Sequence, residues 1–365
     1  MAADSTLQPF LPASKPGPVV GPGEFVFAAA FLEHGHIYGQ CNGLIEAGAT
    51  LRWVYDPDPQ KVAAFRAKYP DVRVARSFDE ILADADVKLV AAAAIPAERG
   101  QIGMRVMEAG KDYFTDKTPF TALSQLDAAK AAVARTGRKY AVYYSERLHV
   151  ESAMFATDFV AAGGIGRVIQ VLGLGPHRLS KNVRPAWFWE KEQYGGILCD
   201  IGSHQFEQFL TYSGATDASV TQAAVANFGN PEYPEFEDFG EASLLGDNGT
   251  SNYVRIDWFN PDGLGTWGDG RTFILGTDGY LELRKYIDVG RDKAGDNVYV
   301  VDAKGEHRLN VTGQVGFRFF GQLILDCLNR TEHAMTQAHA FKAAELCLRA
   351  QLAARRIAVP PVPFA

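Results

Sequence analysis

Asp200 and His204 are the two residues of this sequence whose types and spacing best suit proton transfer. They stand four residues apart in the segment 194–214, YGGILCDIGSHQFEQFLTYSG, whose apolar residues recur at helical spacing. On a helix, this spacing places two side chains on one face, where a carboxylate can orient an imidazole and raise its basicity. An ordinary surface pair is the alternative interpretation. The glycines around the pair favour function, because residues without side chains let a ligand approach the backbone closely.

Lys117 is a second candidate, because it follows a predicted strand over 112–116 within the sequence TDKTP. A lysine followed closely by proline at the carboxyl edge of a parallel sheet would hold an ammonium group on a stiff turn. Cofactor and substrate meet at that edge in sheets of this kind. A solvated surface lysine is the alternative interpretation.

The loop after the first predicted strand keeps only part of a dinucleotide-binding pattern. That pattern, G-x-G-x-x-G, lets the backbone turn tightly and donate amides to a pyrophosphate. The corresponding window, AFLEHG, has Ala30 and Leu32 at the first two glycine positions and retains Gly35. His34 and His36 could contact the pyrophosphate, the substrate or a metal ion. Two neighbouring histidines without a cysteine or carboxylate partner are more typical of loop hydrogen bonding, so we predict no metal site.

Asp56 ends the second predicted strand, roughly 20 residues beyond this loop, where an acid accepts hydrogen bonds from the adenosine ribose. A plain turn carboxylate in DPDP is the alternative interpretation. A carboxylate at the ribose would repel the 2′-phosphate of NADP, and Asp58 adds a second negative charge. We therefore predict NAD as the cofactor, with NADP disfavoured. Lys61 is the nearest cation that could reach a phosphate.

Strands and helices alternate from Phe25 to Arg147. This alternation predicts an α/β fold whose N-terminal part is a Rossmann-type, doubly wound parallel sheet with right-handed crossovers. Ligands of such sheets bind beyond the carboxyl ends of the strands. Ile95 and Pro96, which follow a predicted strand over 87–94, are therefore added to the predicted cofactor contacts.

The pattern changes after a predicted helix over 150–162. Runs of alternating polarity with turn signals such as DNGT and NPDG between them predict a C-terminal α+β domain with a large, mostly antiparallel sheet. A chain of 365 residues is long for one core. We expect a flexible arm at 1–23, a dinucleotide-binding domain at 24–147, and a substrate and oligomerisation domain at 148–365. Its last helices, within 314–355, are candidates to pack back on the first domain.

Composition excludes several classes of function. A formal net charge of -7 argues against nucleic acid or an anionic membrane surface as the main partner. No apolar run approaches the roughly 20 residues that would span a bilayer. The 4 cysteines stand far apart without a CxxC pair, so neither a zinc cage nor a disulfide framework is expected. A cytoplasmic location fits best.

Together these motifs resemble the Gfo/Idh/MocA family, which includes glucose-fructose oxidoreductase and inositol dehydrogenase. The resemblance rests on EAGKDYFTDKTP, AAGGIGRV and the Gly-Gly-x-Leu-x-Asp-x-Gly-x-His segment that ends at His204. It implies that Lys117 lies against the nicotinamide, and that Asp200 and His204 hold and deprotonate a sugar or polyol hydroxyl. The family's Glu before this lysine is Asp116 here, which the resemblance places among the cofactor contacts. Thr118 separates the lysine from proline.

Candidate substrate contacts flank two of these motifs. Aromatic faces cover the C–H surfaces of sugars, while carboxylates and guanidinium groups bind hydroxyls. Residues of these types follow the strand over 139–145 or precede segment 194–214: Glu146, Arg147, His149, Arg178, Arg184, Trp187 and Trp189. A sugar-like polyol would suit them. The alternative is that the two tryptophans are core residues.

We therefore predict a nicotinamide-dependent sugar or polyol oxidoreductase in which His204 is the base, Asp200 orients it and Lys117 stabilises negative charge on oxygen. Two alternatives stay open: a related enzyme that cleaves glycosides through transient oxidation, and a non-catalytic nucleotide-binding regulator. The resemblance also implies a homodimer or homotetramer formed between C-terminal sheets. We expect the uncovered sheet face to carry Val168, Gln170 and Leu172.

Overall fold

The computed structural model describes residues 6–291 and 293–359, which form two compact units. The first, called the Rossmann unit below, consists of Lys15–Tyr144 and Phe317–Phe341. The second, called the sheet unit, consists of Ser145–Gly316 together with the described residues of Met1–Ser14 and Lys342–Ala365. The chain therefore leaves the Rossmann unit after Tyr144 and returns to it near the C-terminus.

The Rossmann unit contains a six-stranded parallel sheet in the order β3-β2-β1-β4-β5-β6. All five residues of the first strand and of the fifth strand are buried, as expected for strands covered on both faces. This confirms the predicted doubly wound α/β architecture. The strands are β1 (Val26–Ala30), β2 (Thr50–Tyr55), β3 (Arg73–Val74), β4 (Val87–Ala92), β5 (Asp112–Asp116) and β6 (Tyr140–Tyr143).

Five helices connect these strands. They are α1 (His36–Glu46), α2 (Pro59–Lys68), α3 (Phe78–Ala83), α4 (Pro96–Glu108) and α5 (Leu123–Thr136). The strand order changes direction between β1 and β4, and this switch point is where doubly wound sheets bind ligands. The loops after β1, β2, β4 and β5 all leave the same carboxyl edge, and these loops carry the predicted cofactor residues.

A late helix completes the Rossmann unit. Helix α11 (Arg318–Asn329) packs on α1, where Gly43 leaves room for the ring of Phe320 and any Cβ would collide with that ring. The Arg330 guanidinium donates two hydrogen bonds, of 2.7 and 2.6 Å, to the buried carboxylate of Asp112 at the start of β5. The C-terminal return is therefore fixed by both apolar packing and an ion pair.

The sheet unit is built on nine strands in the order β14-β13-β12-β11-β7-β10-β9-β8-β15. All neighbours are antiparallel except β7 with β10 and β8 with β15, which confirms a mostly antiparallel sheet. The strands are β7 (Val168–Pro176), β8 (Ala218–Ala226), β9 (Phe239–Gly246), β10 (Ser251–Asp257), β11 (Arg271–Gly276), β12 (Gly279–Arg284), β13 (Asn297–Asp302), β14 (Gly305–Asn310) and β15 (Arg355–Arg356).

Helices cover one face of this sheet. Six helices remain: α6 (Ser145–Leu148), α7 (Glu151–Ala161), α8 (Lys191–Tyr194), α9 (Ile197–Asp200), α10 (Gly202–Ser213) and α12 (Gln337–Ala353), the last shared between the two units. Helix α10 packs against β7, β9 and β10. On the opposite face, Leu172 and Leu174 are only half buried. Val168 differs from our expectation because it is buried, next to a register shift between β7 and β11.

Parts of the expected N-terminal arm contact the fold. Leu7 is buried, and the Phe10 ring meets Phe159 of α7 edge-on at 4.7 Å. Farther along, the backbone N–H of Val19 donates to the carbonyl of Ala47 at 3.0 Å. Leu7, Phe10 and Val19 therefore contact the fold, whereas residues 12–19 are exposed. The flexible arm expected at 1–23 stays a prediction, and residues 1–5 lie outside the described part. None of the described helices is long and apolar enough to cross a membrane.

Candidate active site

A glycine pair sets the start of the segment that carries Asp200 and His204. Gly195 and Gly196 have φ angles of 89° and 88°, a left-handed conformation that side chains disfavour. A Cβ on Gly196 would also collide with the side chain of Gln351. That side chain accepts a hydrogen bond from the Leu198 N–H at 3.0 Å. The glycines are therefore required by backbone conformation and by close packing at the start of α9.

The predicted single helix is interrupted between Asp200 and His204. Asp200 ends α9, Ile201 forms a turn, and α10 begins at Gly202. The backbone still winds in the helical sense, because the N–H of Ile201 bonds to Ile197 at 3.1 Å and that of His204 bonds to Ile201 at 3.2 Å. His204 is 1% exposed, whereas Asp200 is half buried. The two side chains therefore have different surroundings, which the four-residue spacing does not reveal.

Glu146, at the start of the sheet unit, is the centre of a buried polar group. Its Oε2 accepts hydrogen bonds from Gln205 at 3.0 Å and from the Lys285 ammonium at 3.1 Å. Its Oε1 lies 3.7 Å from His177 Nε2 and accepts no hydrogen bond from the described residues. Gln205 follows His204 directly, so α10 delivers both side chains to this region. Sequence reasoning identified Glu146 but missed Lys285, His177 and Gln205.

Neighbouring side chains keep the carboxylate of Glu146 ionised. Burial raises the pKa of this carboxyl, but the nearby Lys285, His204 and His177 outweigh burial and lower its pKa to about 2. Burial lowers the pKa of the Lys285 ammonium, and Glu146 opposes that shift. We name these five side chains, Glu146, His177, His204, Gln205 and Lys285, the Glu146 cluster. It combines a carboxylate, an ammonium, an amide and two imidazoles, which can bind hydroxyl groups and exchange a proton.

Aromatic rings adjoin the Glu146 cluster. The His177 ring lies 5.5 Å from the ring of Trp258 and 4.6 Å from that of Trp267. Trp267 in turn lies 4.5 Å from the ring of Tyr286. Trp258 is buried, but Trp267 is 44% exposed and can offer a ring face to a ligand. These aromatic residues lie in or beside strands that the sequence predicted, yet nothing in their local pattern marked them as neighbours of Glu146.

Most of the other predicted substrate residues have roles within the protein. Arg147 is buried and forms a two-pronged ion pair with Glu207 of α10. The Arg178 guanidinium donates to the carbonyls of residues 261, 262 and 264, so it holds that turn. Trp189 stacks on Tyr233 with ring centres 3.8 Å apart.

Three further residues were predicted to bind substrate: Arg184, Trp187 and His149. The Arg184 guanidinium lies over the rings of Phe188 and Trp258, and burial lowers its pKa while the Asp200 carboxylate opposes that shift. Trp187 meets Phe188 edge-on, with ring centres 6.1 Å apart. His149 is half buried, and its backbone N–H bonds to Ser145. Arg184 is thus a predicted substrate residue that lies close enough to Asp200 for this carboxylate to act on the pKa of its guanidinium.

In the Rossmann unit, Asp116 joins Lys117 to the loop after β1. The fully buried Asp116 carboxylate accepts the backbone N–H of Lys117 at 2.7 Å and the Arg99 guanidinium at 3.3 Å. His34 Nδ1 lies 3.1 Å from one Asp116 oxygen, and His36 Nδ1 lies 2.8 Å from the other. Burial raises the pKa of Asp116, but His36, Arg99 and His34 outweigh burial and hold it well below its usual range.

This network corrects the expectation that the two histidines lack a carboxylate partner. The ligand atoms of His34, His36 and Asp116 all lie within 4.8 Å of one another, a spacing that a metal ion could use. The same carboxylate, however, already binds the Arg99 guanidinium and the Lys117 N–H. Adjacent positive charge disfavours a cation, and hydrogen bonding accounts for the geometry, so we assign no metal here.

Asp56 follows the neighbouring strand, β2, and binds the loop after β1. It is buried, and its carboxylate accepts the N–H of Leu32 at 2.6 Å and the N–H of Asp58 at 2.8 Å. Lys61 of α2 is paired with Glu33 of the loop. The Asp56 carboxylate is therefore fixed by backbone amides, and the charge of Lys61 is already balanced.

The remaining cofactor candidates line the carboxyl edge of the sheet. Ala30 is the buried last residue of β1, and Ile95 and Pro96 begin α4. A Cβ on Gly35, at the start of α1, would meet nothing within 4 Å. This open helix N-terminus beyond β1 suits a diphosphate, so the residues present fit a nicotinamide dinucleotide. The left-handed conformation that glycine supplies in such loops is taken by Phe31, with a φ of 55°.

A Rossmann unit with this loop and a sheet unit with a buried acid–base cluster define a two-domain oxidoreductase. The chain matches the model of the oxidoreductase family with an NAD-binding Rossmann fold over residues 19–144, and that of the GFO/IDH/MocA C-terminal domain over residues 154–282. It belongs to the Gfo/Idh/MocA family. The expectation from the sequence is thus confirmed.

Individual relatives agree with this assignment. A crystal structure described as an oxidoreductase from Erwinia carotovora atroseptica is 52% identical, with a TM-score of 0.89 over 92% of this chain and 100% of that one. Levoglucosan dehydrogenase in complex with NADH and levoglucosan shares the fold, with 16% identity and a TM-score of 0.75 over 90% of this chain and 96% of that one. An uncharacterised oxidoreductase from Schizosaccharomyces pombe is 27% identical over 48% of this chain. The chain spans about half the length of the curated relatives it matches.

Proposed function

We propose that this protein transfers hydride between NAD and a secondary alcohol of a sugar, polyol or glycoside. The observation that carries the proposal is the Glu146 cluster: a buried carboxylate with an open hydrogen-bonding oxygen, beside two imidazoles and an exposed tryptophan. Sugars need both kinds of contact, because they present hydroxyl groups on their edges and C–H surfaces on their faces. The levoglucosan complex of a protein with this fold supports the same substrate class.

The proposed roles follow from the chemistry of each side chain. Oxidation of an alcohol requires that its hydroxyl proton leave as hydride departs, and we assign His204 as the base. Asp200 orients His204, and Glu146 accepts a hydrogen bond from a substrate hydroxyl at Oε1. In the Rossmann unit, Lys117 stabilises negative charge that develops on the reacting oxygen. A bound nicotinamide would supply the hydride acceptor.

We further propose that the cofactor is NAD rather than NADP. Asp56 and Asp58 are held at the end of β2, and Lys61 forms an ion pair with Glu33, so this lysine is not free to bind a 2′-phosphate. A phosphate placed there would meet fixed negative charge, which costs on the order of a few kcal/mol. An affinity ratio of about a hundredfold corresponds to roughly 3 kcal/mol.

Calorimetric titration of the full chain with NAD and with NADP tests this cofactor assignment. NAD should bind about a hundredfold more tightly. Asp56→Asn should reduce the difference between the affinities for NAD and NADP. The matched control Asp127→Asn, on α5, should leave this difference unchanged. Equal affinities, or tighter binding of NADP by the wild-type protein, would show that the acidic group does not face the ribose. Failure of both nucleotides to bind would remove the proposed function itself.

A further inference from the structure

A cavity of about 480 Å³ opens in the sheet unit at the carboxyl ends of β7 and β10. Small-molecule sites in proteins typically have volumes of about 300–1,000 Å³. The two strands are parallel neighbours, so the chain segments that follow them lie side by side. The walls consist of residues 178–183, which follow β7, and of Trp258, Asn260 and Asp262, which follow β10. The five side chains of the Glu146 cluster are not part of these walls, so the cavity is a separate space.

Trp258 connects this cavity to the Glu146 cluster. Its side chain forms part of the cavity wall, and its ring centre lies 5.5 Å from that of His177. The Nε2 atom of His177 lies 3.7 Å from Oε1 of Glu146, the oxygen proposed to bind a substrate hydroxyl. A second wall residue, Arg178, directly follows His177 in the chain. The cavity therefore adjoins the position proposed for the sugar ring that is oxidised.

Hydrogen bonds within the chain hold the walls of the cavity in place. The Arg178 guanidinium donates to the carbonyls of residues 261, 262 and 264, and so joins one wall to the other. The Arg184 guanidinium donates to the carbonyl of Leu179 at 2.7 Å and lies 4.7 Å from the ring centre of Trp258. A site whose walls are already ordered loses less conformational entropy when a ligand binds.

The cations in the walls are balanced by acidic side chains. Nε of Arg178 lies 3.6 Å from the carboxylate of Asp262. The Lys181 ammonium pairs with Glu232 and donates to the side chain of Asn230 at 3.0 Å. Because each cation already has an anionic partner, an anionic ligand would gain little attraction from them. The cavity therefore suits a neutral ligand.

The walls also contain hydrogen-bond donors without acceptors. The indole N–H of Trp258 and the Nε–H of Arg178 are buried, and neither donates a hydrogen bond to a described residue. Buried donors are usually satisfied in folded proteins, so such donors beside a cavity indicate a ligand that carries acceptor oxygens. The ring of Trp258 adds an apolar surface on which C–H groups can pack. A neutral ligand with both oxygens and C–H surfaces is a sugar ring.

We propose that this cavity binds a second, neutral sugar ring, so that the substrate is a disaccharide or a longer glycoside. The ring held by the Glu146 cluster is the one that is oxidised, and the ring in the cavity contributes affinity and specificity. The inference rests on the proposed function and narrows its substrate class to glycosides with at least two sugar rings. Its consequence is that a disaccharide binds more tightly than the matching single ring.

Calorimetric titration of the full-length protein in the presence of NADH measures this difference, because NADH does not accept hydride and the sugars are not consumed. Each pair of probes shares its nonreducing ring: methyl β-glucoside with cellobiose, methyl β-galactoside with lactose, and methyl β-mannoside with mannobiose. At least one disaccharide should bind about tenfold more tightly than its methyl glycoside. Turnover with NAD should favour that disaccharide by a similar factor in kcat/KM.

Two substitutions test whether the cavity causes the preference. Asn182→Trp and Val183→Trp each place a large side chain at the cavity wall, where both native side chains are exposed. The dissociation constant of the disaccharide should rise to that of the methyl glycoside, which should itself change less than about twofold. Lys304→Trp, at an exposed position of the same unit, is the matched control and should retain the preference. Circular dichroism checks that each variant is folded.

The outcomes separate this inference from the function on which it rests. Equal affinity for the disaccharide and the methyl glycoside in every pair would overturn the inference and leave the oxidoreductase assignment intact. A preference that persists in both tryptophan variants would also overturn it. Tighter binding of cellobionate, whose second unit is a carboxylic acid, without tighter binding of cellobiose would show that the cavity takes an anion and would overturn it as well. Absence of both sugar binding and NAD reduction would instead contradict the proposed function, and the inference with it.

Discussion

At the scale of single residues, Glu146 shows how strongly burial and charge decide the properties of this site. In the sequence alone, Glu146 is one of 43 acidic residues. In the fold, its neighbours hold it as a buried anion whose Oε1 accepts no hydrogen bond from the described residues. Such an anion is stable only while a cation is paired with it, because an unpaired buried charge costs several kcal/mol. Lys285, which is itself fully buried, is that cation.

Replacement of Lys285 by methionine should therefore destabilise the protein by about 3–5 kcal/mol at neutral pH. Glu146 has a folded pKa near 2, below its value of about 4.3 in an unfolded chain. Its contribution to stability is thus fully present above the unfolded pKa and is lost as the pH falls through the folded one. The difference between wild type and Lys285→Met should narrow as the pH falls from about 6 to about 3. Urea unfolding at both pH values measures this.

Two controls accompany this prediction. Lys304→Met, at an exposed position of the same unit, should change stability by less than about 0.5 kcal/mol. Glu146→Gln combined with Lys285→Met should recover part of the loss, because the buried charge is removed. A deficit of Lys285→Met that is equally large at both pH values would show that lost packing, not the ion pair, explains it.

At the scale of elements, the strand–helix alternation of the Rossmann unit and the alternating polarity of the second sheet were sufficient to predict the architecture. The strands that escaped prediction are short or polar. Strands β3 and β15 have two residues each, which is too few to show periodicity, and β14, GEHRLN, lacks the apolar alternation of its neighbours. Pairing with an adjacent strand, not local sequence, creates them.

Only part of the candidate site could be predicted from the sequence. Asp116, Lys117 and the two loop histidines were all identified, but the contact between the histidines and Asp116 joins positions 80 residues apart. Lys285 directly follows β12, next to Arg284, and a lysine at such a position is typical of an exposed residue. The helical spacing of the apolar residues also predicted one continuous helix through Asp200 and His204. Spacing alone does not show that the helix is interrupted at Ile201. These features depend on tertiary packing, which overrides local pattern.

At the scale of the whole molecule, one face of the second sheet is only half buried and is a candidate surface for self-association. Apolar side chains from three neighbouring strands share this face, including Leu172, Phe273 and Tyr253, and none of them is fully buried. Leu275 and Tyr280 farther along are 43% and 46% exposed. Polar side chains such as Gln170 and Arg271 lie between these apolar residues on the same face, and a partly exposed face of this size can serve as an interface between subunits. We propose that two sheets pack face to face with twofold symmetry, as a dimer or as part of a tetramer.

Light scattering at micromolar concentration should therefore give at least twice the monomer mass of 39.8 kDa. Leu172→Glu should shift the protein toward the monomer, because a carboxylate on an apolar interface is costly to bury. Val183→Glu is the matched control, since Val183 is 78% exposed and lies outside the sheet. A monomeric wild-type protein would contradict the proposal, as would an unchanged mass for Leu172→Glu.

The most direct test of the central claim is NADH formation by the purified full-length protein with a panel of sugars, polyols and glycosides. At least one member of the panel should reduce NAD. His204→Gln should lower that rate by about a hundredfold or more while NAD binding is retained, because general-base catalysis contributes on this order. His333→Gln should keep the wild-type rate. An enzyme that binds NAD but reduces it with no member of the panel would contradict the account, and so would a wild-type rate in His204→Gln.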